Sequence, residues 1–314
     1  MVEYWQQYYS DHSCNRKNHR RVNVSIIEKA ANRIDRQQGA STPGSRTAPF
    51  IANQKGQAAD IGNHGQRRPL ARQTAKQVEL DLARMHEMGL VTAEGGRSIL
   101  SEDFRIIKRP LIKRAFSPRS DTDKPGNLIM ITSSLAGEGK TFCSINLAMS
   151  IAMEIDHTVL LVDADVARPS VLRTLGLPPQ RGLMDVLLDE KLDVADVMLR
   201  TNVDTLSILP AGTSNSRATE LLASQTMSSL VFEIANRYSD RIIIFDSPPL
   251  LLTSEAHVLA NHMGQIVVVV ESETTTQHAV KESLRQLEGC SNVNLIFNKT
   301  REFAGTESYD YHYG

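Results

Sequence analysis

The stretch Ser134-Leu-Ala-Gly-Glu-Gly-Lys-Thr141 has the composition and order of a loop that can hold a phosphate chain. An apolar run, Leu128 to Ile131, precedes it, and a helical pattern follows. Gly137 and Gly139 let backbone N–H groups approach phosphate oxygens with no Cβ in the way. Lys140 has the reach for the β- and γ-phosphates, and the Thr141 hydroxyl is a suitable Mg²⁺ ligand. Ala136, Glu138 and Phe142 complete the run expected to face a bound nucleotide. Ser134 stands where the strict pattern has its first glycine.

Three aspartates sharpen that reading. The run Val159-Leu-Leu-Val-Asp163-Ala-Asp165 ends in two carboxylates at alternate positions, and Arg241-Ile-Ile-Ile-Phe-Asp246-Ser-Pro-Pro249 ends in one. In an open parallel sheet, ligands bind beyond the carboxyl ends of the strands, which is where all three acids and the phosphate loop would meet. Any one of them could simply cap the helix that follows. Together they describe a phosphoryl-transfer site.

The elements that must position these groups alternate. Strand-like runs are expected at 128–132, 158–163, 205–209, 241–246, 265–271 and 293–298. Helical patterns lie at 139–154, 183–199, 217–237, 253–263 and 276–288. This predicts an α/β fold, a mainly parallel sheet of P-loop NTPase type with helices on both faces. The catalytic domain would span 126–300, and its lead-in, 76–125, would carry a helix over Ser101–Lys108 interrupted by Pro110. Residues 1–36 hold a basic tail and a short amphipathic helix opened by the capping box Ser25-x-x-Glu28. Residues 37–75, rich in Gly, Ala, Gln, Asn, Ser and Arg, cannot bury enough surface to offset their ordering entropy and are expected to be disordered. Residues 301–314 form a tail in which Tyr309, Tyr311 and Tyr313 alternate with Asp310 and His312. Such a tail looks more like a substrate segment than a packed strand.

Bulk properties narrow the classes. A formal net charge of −1 over 314 residues gives no sign of a nucleic-acid partner. The 3 cysteines show no paired spacing, which fits a reducing cytoplasm, and His257 and His262 have no partner at metal-ligand spacing. No apolar run approaches the length needed to cross a bilayer, so membrane association is expected to be peripheral or through a partner.

The phosphate loop, the Asp163-Ala-Asp165 and Asp246-Ser-Pro-Pro249 strand ends and the terminal tyrosines together resemble the bacterial tyrosine autokinases. The likeness is greatest to the cytoplasmic type associated with exopolysaccharide chain-length determinant proteins, including the exosortase-associated subgroup. It implies an ATP- and Mg²⁺-dependent enzyme that phosphorylates its own Tyr309, Tyr311 and Tyr313, mainly between subunits. On that resemblance Lys140 neutralises the transferring phosphate, Thr141, Asp163 and Asp246 serve the metal, and Asp163 or Asp165 takes the phenolic proton. It also implies a ring assembled through Glu102-x-x-Arg105-x-x-Lys108, with Lys where the family has a second Arg. An inner-membrane polysaccharide co-polymerase would recruit and activate the chain, and a cognate tyrosine phosphatase would be a further partner. The family's Arg four residues after the first aspartate of the second motif is replaced by Ala167, with Arg168-Pro169 next. Pro210-Ala-Gly212 and Glu220-Leu-Leu-x-Ser224 look like family scaffold features.

Two other readings share the fold. A partitioning or site-selection ATPase would place a signature lysine where this chain has Leu135, and would lack the terminal tyrosines. A catalytically idle nucleotide-binding regulator of polysaccharide export would not need Lys140, Thr141, Asp163 and Asp246 intact.

Overall fold

The computed structural model describes residues 21–23, 76–96, 98–118 and 124–300. The expected helix near residue 25, the linker at 37–75 and the tyrosine tail lie outside the described residues.

An eight-stranded sheet organises the chain. Its strands are β1 (Arg21–Asn23), β2 (Leu128–Ser133), β3 (Thr158–Asp163), β4 (Leu199–Arg200), β5 (Leu206–Leu209), β6 (Arg241–Asp246), β7 (Gln265–Glu271) and β8 (Val293–Thr300), in the order β1-β8-β7-β2-β6-β3-β5-β4. The six strands from β8 to β5 are mutually parallel, and the short edge strands β1 and β4 are antiparallel. Parallel strands buried on both faces read as near-continuous apolar runs, which is why β2, β6 and β7 show almost no polar alternation. Within β2, Leu128 and Met130 face one core layer, and Ile129 and Ile131 face the other. The first layer is closed by α8 (Gln225–Asn236) and α9 (Ser254–Ala260), the second by α2 (Ile99–Ala115) and α3 (Lys140–Ala152). The mainly parallel sheet with helices on both faces is therefore as the sequence predicted.

Several helices differ from expectation for local reasons. The helix expected over 183–199 is α5 (Leu183–Leu188), α6 (Val194–Val197) and then β4. It breaks because Asp189 turns extended and accepts from the Lys191 N–H, while Asp193 caps a new helix through the Ala195 N–H. The 217–237 pattern divides into α7 (Ala218–Leu222) and α8, where the Ser224 hydroxyl caps the second through the Met227 N–H. Two short helices, α1 (Leu82–Glu87) and α4 (Val171–Thr174), were not delimited by the sequence, and α10 (Gln277–Gln286) closes the set.

The opposite correction applies to α2, which runs through Pro110 instead of ending there. Pro110 and Ile106 both face solvent, so water can take the Ile106 carbonyl that proline leaves without a donor. Lys108 is also corrected in its surroundings. It is 4% exposed, its ammonium donates to the Ser150 carbonyl at 2.5 Å, and it pairs with Glu154 at 2.6 Å. Ser150 lies in the last turn of α3, where carbonyls lack intrahelical partners and a cation is favoured. Glu102 and Arg105 stay on the outer surface, paired with each other.

Candidate active site

β2 sits near the middle of the sheet between β7 and β6, so its carboxyl end opens into the mouth lined by both neighbours. Residues 134–139 turn there and hand the chain to α3. Gly137 and Gly139 have φ of 89° and 95°, a region glycine enters without a Cβ penalty. A Cβ on Gly139 would lie 2.0 Å from the Asn298 amide nitrogen. The turn is thus held by glycine at one place and by close approach of β8 at the other.

Around this loop the expected site residues converge. Asp163 and Asp246 are register partners on β3 and β6, so their side chains emerge side by side. One Asp246 oxygen accepts from the Thr141 hydroxyl at 2.7 Å and the other from Ser144 at 3.0 Å. Lys140 reaches Asp165 at 2.7 Å, with both side chains largely buried. One oxygen of Asp163 accepts the Ser170 and Val171 N–H groups at 3.0 and 2.9 Å. The other Asp163 oxygen is buried with no hydrogen-bond partner.

The electrostatics follow from this crowding. Burial, reinforced by the Asp246 charge, pushes the Asp163 carboxyl up to about 7, against the pull of its two backbone N–H donors. Burial also raises Asp246, opposed by Lys140, Thr141 and Ser144. Cys143, behind the loop on α3, is pushed up to about 12 by burial and by Asp246, which makes it an inert core thiol.

Two acids raised by burial beside an orphaned oxygen are a place for a cation. Among the described residues no cluster of three or more His, Cys, Asp or Glu could cage a metal by itself. Mg²⁺ keeps waters and phosphate oxygens and takes only one or two protein ligands. Thr141, Asp246 and the free oxygen of Asp163 are the groups that would hold it, directly or through water.

Other expected residues fall into different roles. Ala136 is exposed at the loop tip, and the Glu138 side chain is buried away from the mouth, bonded to the Leu135 N–H and to Thr275. Phe142 packs its ring against the core layer, which leaves its backbone at the start of α3. Sequence reasoning missed Ser144, Ser170, Asn298 and Lys299. Ser144 was findable four residues after Lys140, on the same helix face. Asn298 and Lys299 carry the same signal as the aspartates, polar residues at the carboxyl end of an apolar strand.

A parallel sheet, a glycine-rich turn feeding a helix N-terminus, and acids on the ends of the next two strands, β6 and β3, define a P-loop nucleotide-binding protein. The comparisons agree. The family model described as "AAA domain" matches residues 126–298. The tyrosine-protein kinase YwqD of Bacillus subtilis is 31% identical over 194 residues, covering 62% of this chain and 78% of that protein. The tyrosine-protein kinase CpsD of Streptococcus agalactiae serotype III is 28% identical, covering 58% of this chain and 78% of the relative. The solved structure of the kinase domain of the Escherichia coli tyrosine kinase ETK superposes with a TM-score of 0.57 at 27% identity, over 69% of this chain and 82% of that one. The chain belongs to this AAA-domain family and, within it, to the bacterial tyrosine-protein kinases.

Proposed function

We propose that the chain uses Mg·ATP to phosphorylate its own terminal tyrosines, Tyr309, Tyr311 and Tyr313, mainly from one subunit to the next. The observation that carries this reading is the meeting of Lys140, Thr141, Asp163, Asp165 and Asp246 around one glycine turn. Mg²⁺, when bound, would supply charge neutralisation on the nucleotide phosphates. The loop N–H groups bind and orient those phosphates, and Lys140 leaves Asp165 to meet the transferring group. A phenol has a pKa near 10, so its proton needs an acceptor as the new bond forms. Asp163, at the end of β3, would take that proton. Asp165, freed from Lys140, is placed to support it.

The same reading extends to the cell. The resemblance gives the chain a part in exopolysaccharide chain length or export. No helix among the described residues is long and apolar enough to cross a membrane; on the resemblance, recruitment to the inner membrane would pass through a chain-length determinant partner. Ring contacts would use Glu102 and Arg105 of α2, with Lys108 serving the interior.

The test is direct. The protein is incubated with Mg·ATP and the partner's cytoplasmic segment, and phosphate is mapped by mass spectrometry with Lys140→Met as control. Label on the terminal tyrosines that vanishes in the control supports the proposal. ATP hydrolysis without protein label, or binding without turnover, would overturn it in favour of a partitioning-type ATPase or an idle regulator.

A further inference from the structure

A loop that aims its N–H groups at an anion must aim its carbonyl groups outward. Those carbonyls then need donors of their own. A peptide free to flip would turn a carbonyl oxygen toward the phosphates and repel them. The donors here come from the end of β8. Lys299 donates to the Gly137 carbonyl at 2.8 Å, and the Asn298 amide donates to the Glu138 carbonyl at 2.8 Å. These are the peptides on either side of Glu138, between the two loop glycines.

The same contacts close into a circuit. The Lys299 ammonium is paired with Glu271 at the end of β7, at 2.8 Å. The Glu271 N–H donates at 3.2 Å to the Thr275 hydroxyl, which in turn donates to the Glu138 carboxylate. The other oxygen of Glu138 takes the Leu135 N–H at 2.7 Å, closing the loop on itself. Of the three non-glycine residues with left-handed backbone among the described residues, Lys299 (φ 58°) is a member of this belt, and Glu273 (φ 62°) lies in the chain between its members Glu271 and Thr275. Left-handed backbone at a non-glycine member of such a network marks a geometry the surrounding structure holds in place.

We infer that Lys299, Asn298, Glu271, Thr275 and Glu138 are positioning residues that hold the phosphate loop in its anion-receptive shape from outside, without touching the nucleotide phosphates. The idea rests on the nucleotide-site reading above and assigns these side chains a part in it that the loop's own glycines and Lys140 cannot perform. Lys299 satisfies the Gly137 carbonyl and Glu271 aims Lys299. Thr275 carries the connection across to Glu138, which fixes the first half of the loop.

Calorimetric titration with Mg²⁺ and the non-hydrolysable β,γ-imido analogue of ATP tests this on the full chain, among variants whose thermal transitions match the wild type. Lys299→Met should weaken the analogue by about tenfold. Thr275→Val, which changes no charge, should weaken it by about three- to tenfold, and Thr275→Ser should restore it. Thr275→Val keeps the test alive if Lys299→Met does not fold, and its neutrality separates positioning from a simple loss of positive potential. Steady-state KM for ATP should rise in step with the dissociation constant. Wild-type affinity in a folded Thr275→Val protein, or no recovery in Thr275→Ser, overturns the inference. The readout is affinity, so an absence of tyrosine phosphorylation would sink the kinase proposal and leave this one standing. Failure of the wild type itself to bind would overturn the nucleotide site on which both depend.

Discussion

At the corner where Gly182 meets Thr213, the Asp185 carboxylate accepts from the Gly182 N–H at 2.8 Å, the Thr213 N–H at 3.1 Å and the Thr213 hydroxyl at 2.8 Å. At the mouth of the sheet, Asp163 has two donors on one oxygen and none on the other. Burial pushes both acids up, but at the corner the Gly182 and Thr213 donors outweigh it and hold Asp185 below the ordinary carboxylate range. At the mouth burial prevails, the Asp246 charge adds to it, and Asp163 stands at about 7. A satisfied carboxylate is a structural bolt, whereas a half-satisfied one beside a second acid is a site waiting for a proton or a cation.

Replacing each acid by its amide should break the comparison cleanly. Asp163→Asn removes the proposed proton acceptor and an oxygen proposed to face the metal, so tyrosine phosphorylation should fall by about 10²- to 10⁴-fold. The metal-free protein should lose no stability, because a buried charge has gone. Asp185→Asn should do the reverse, costing about 1–3 kcal/mol in denaturant titration as an amide nitrogen meets N–H donors. Its phosphorylation rate per folded molecule should stay near wild type. Equal activity losses in the two variants would end the distinction. Gly182→Ala belongs with the second variant, since a Cβ there would lie 1.9 Å from the Pro210 carbonyl oxygen. That contact also explains Pro210-Ala-Gly212 as scaffold.

Acidity sharpens the contrast at smaller scale. A group whose folded pKa is raised adds stability below its ordinary value and gives that stability up as pH climbs through the folded value. For Asp163 the window runs from the ordinary 3.8 to about 7. Metal-free wild type should therefore lose more of its melting temperature between pH 5 and pH 8 than Asp163→Asn does, by scanning calorimetry. Asp185 acts in the opposite sense, adding stability above the ordinary carboxylate value that is lost on acidification. Saturating Mg·ATP should remove the difference between wild type and Asp163→Asn at pH 8.

The two acids were not equally legible in the sequence. Asp163, Asp165 and Asp246 each end an apolar run, and strand ends in a parallel sheet share one edge, so periodicity alone gathers them. Asp185 sits inside a stretch expected as one helix over 183–199, and nothing local says that its carboxylate reaches 28 positions along to Thr213. Lys108 shows the same limit. The resemblance grouped it with Glu102 and Arg105 in a ring contact, but the helix end of α3 packed against it supplies the carbonyl that draws it inward. Strand ends can be read because topology fixes them; partners brought together across helices cannot be read from spacing.

The smallest effect should come from the charge nearest Asp185. Arg181 stands 4.0 Å from the carboxylate, with its side chain 59% exposed. An exposed cation at that distance gains little Coulomb energy over water and gives up side-chain freedom to pair. Arg181→Ala should therefore change stability by less than about 0.5 kcal/mol. At the mouth the analogous pair, Lys140 with Asp165, is 2.7 Å apart with side chains 12% and 7% exposed. There the partner charge cannot be removed cheaply, because water does not replace it. Stability of Lys140→Met and Arg181→Ala measured side by side, at low and high salt, should show a salt-insensitive loss for the first and almost none for the second. If Arg181→Ala proved the costlier, Asp185 would depend on its ion pair and not on its three hydrogen bonds, and the contrast with Asp163 would need another cause.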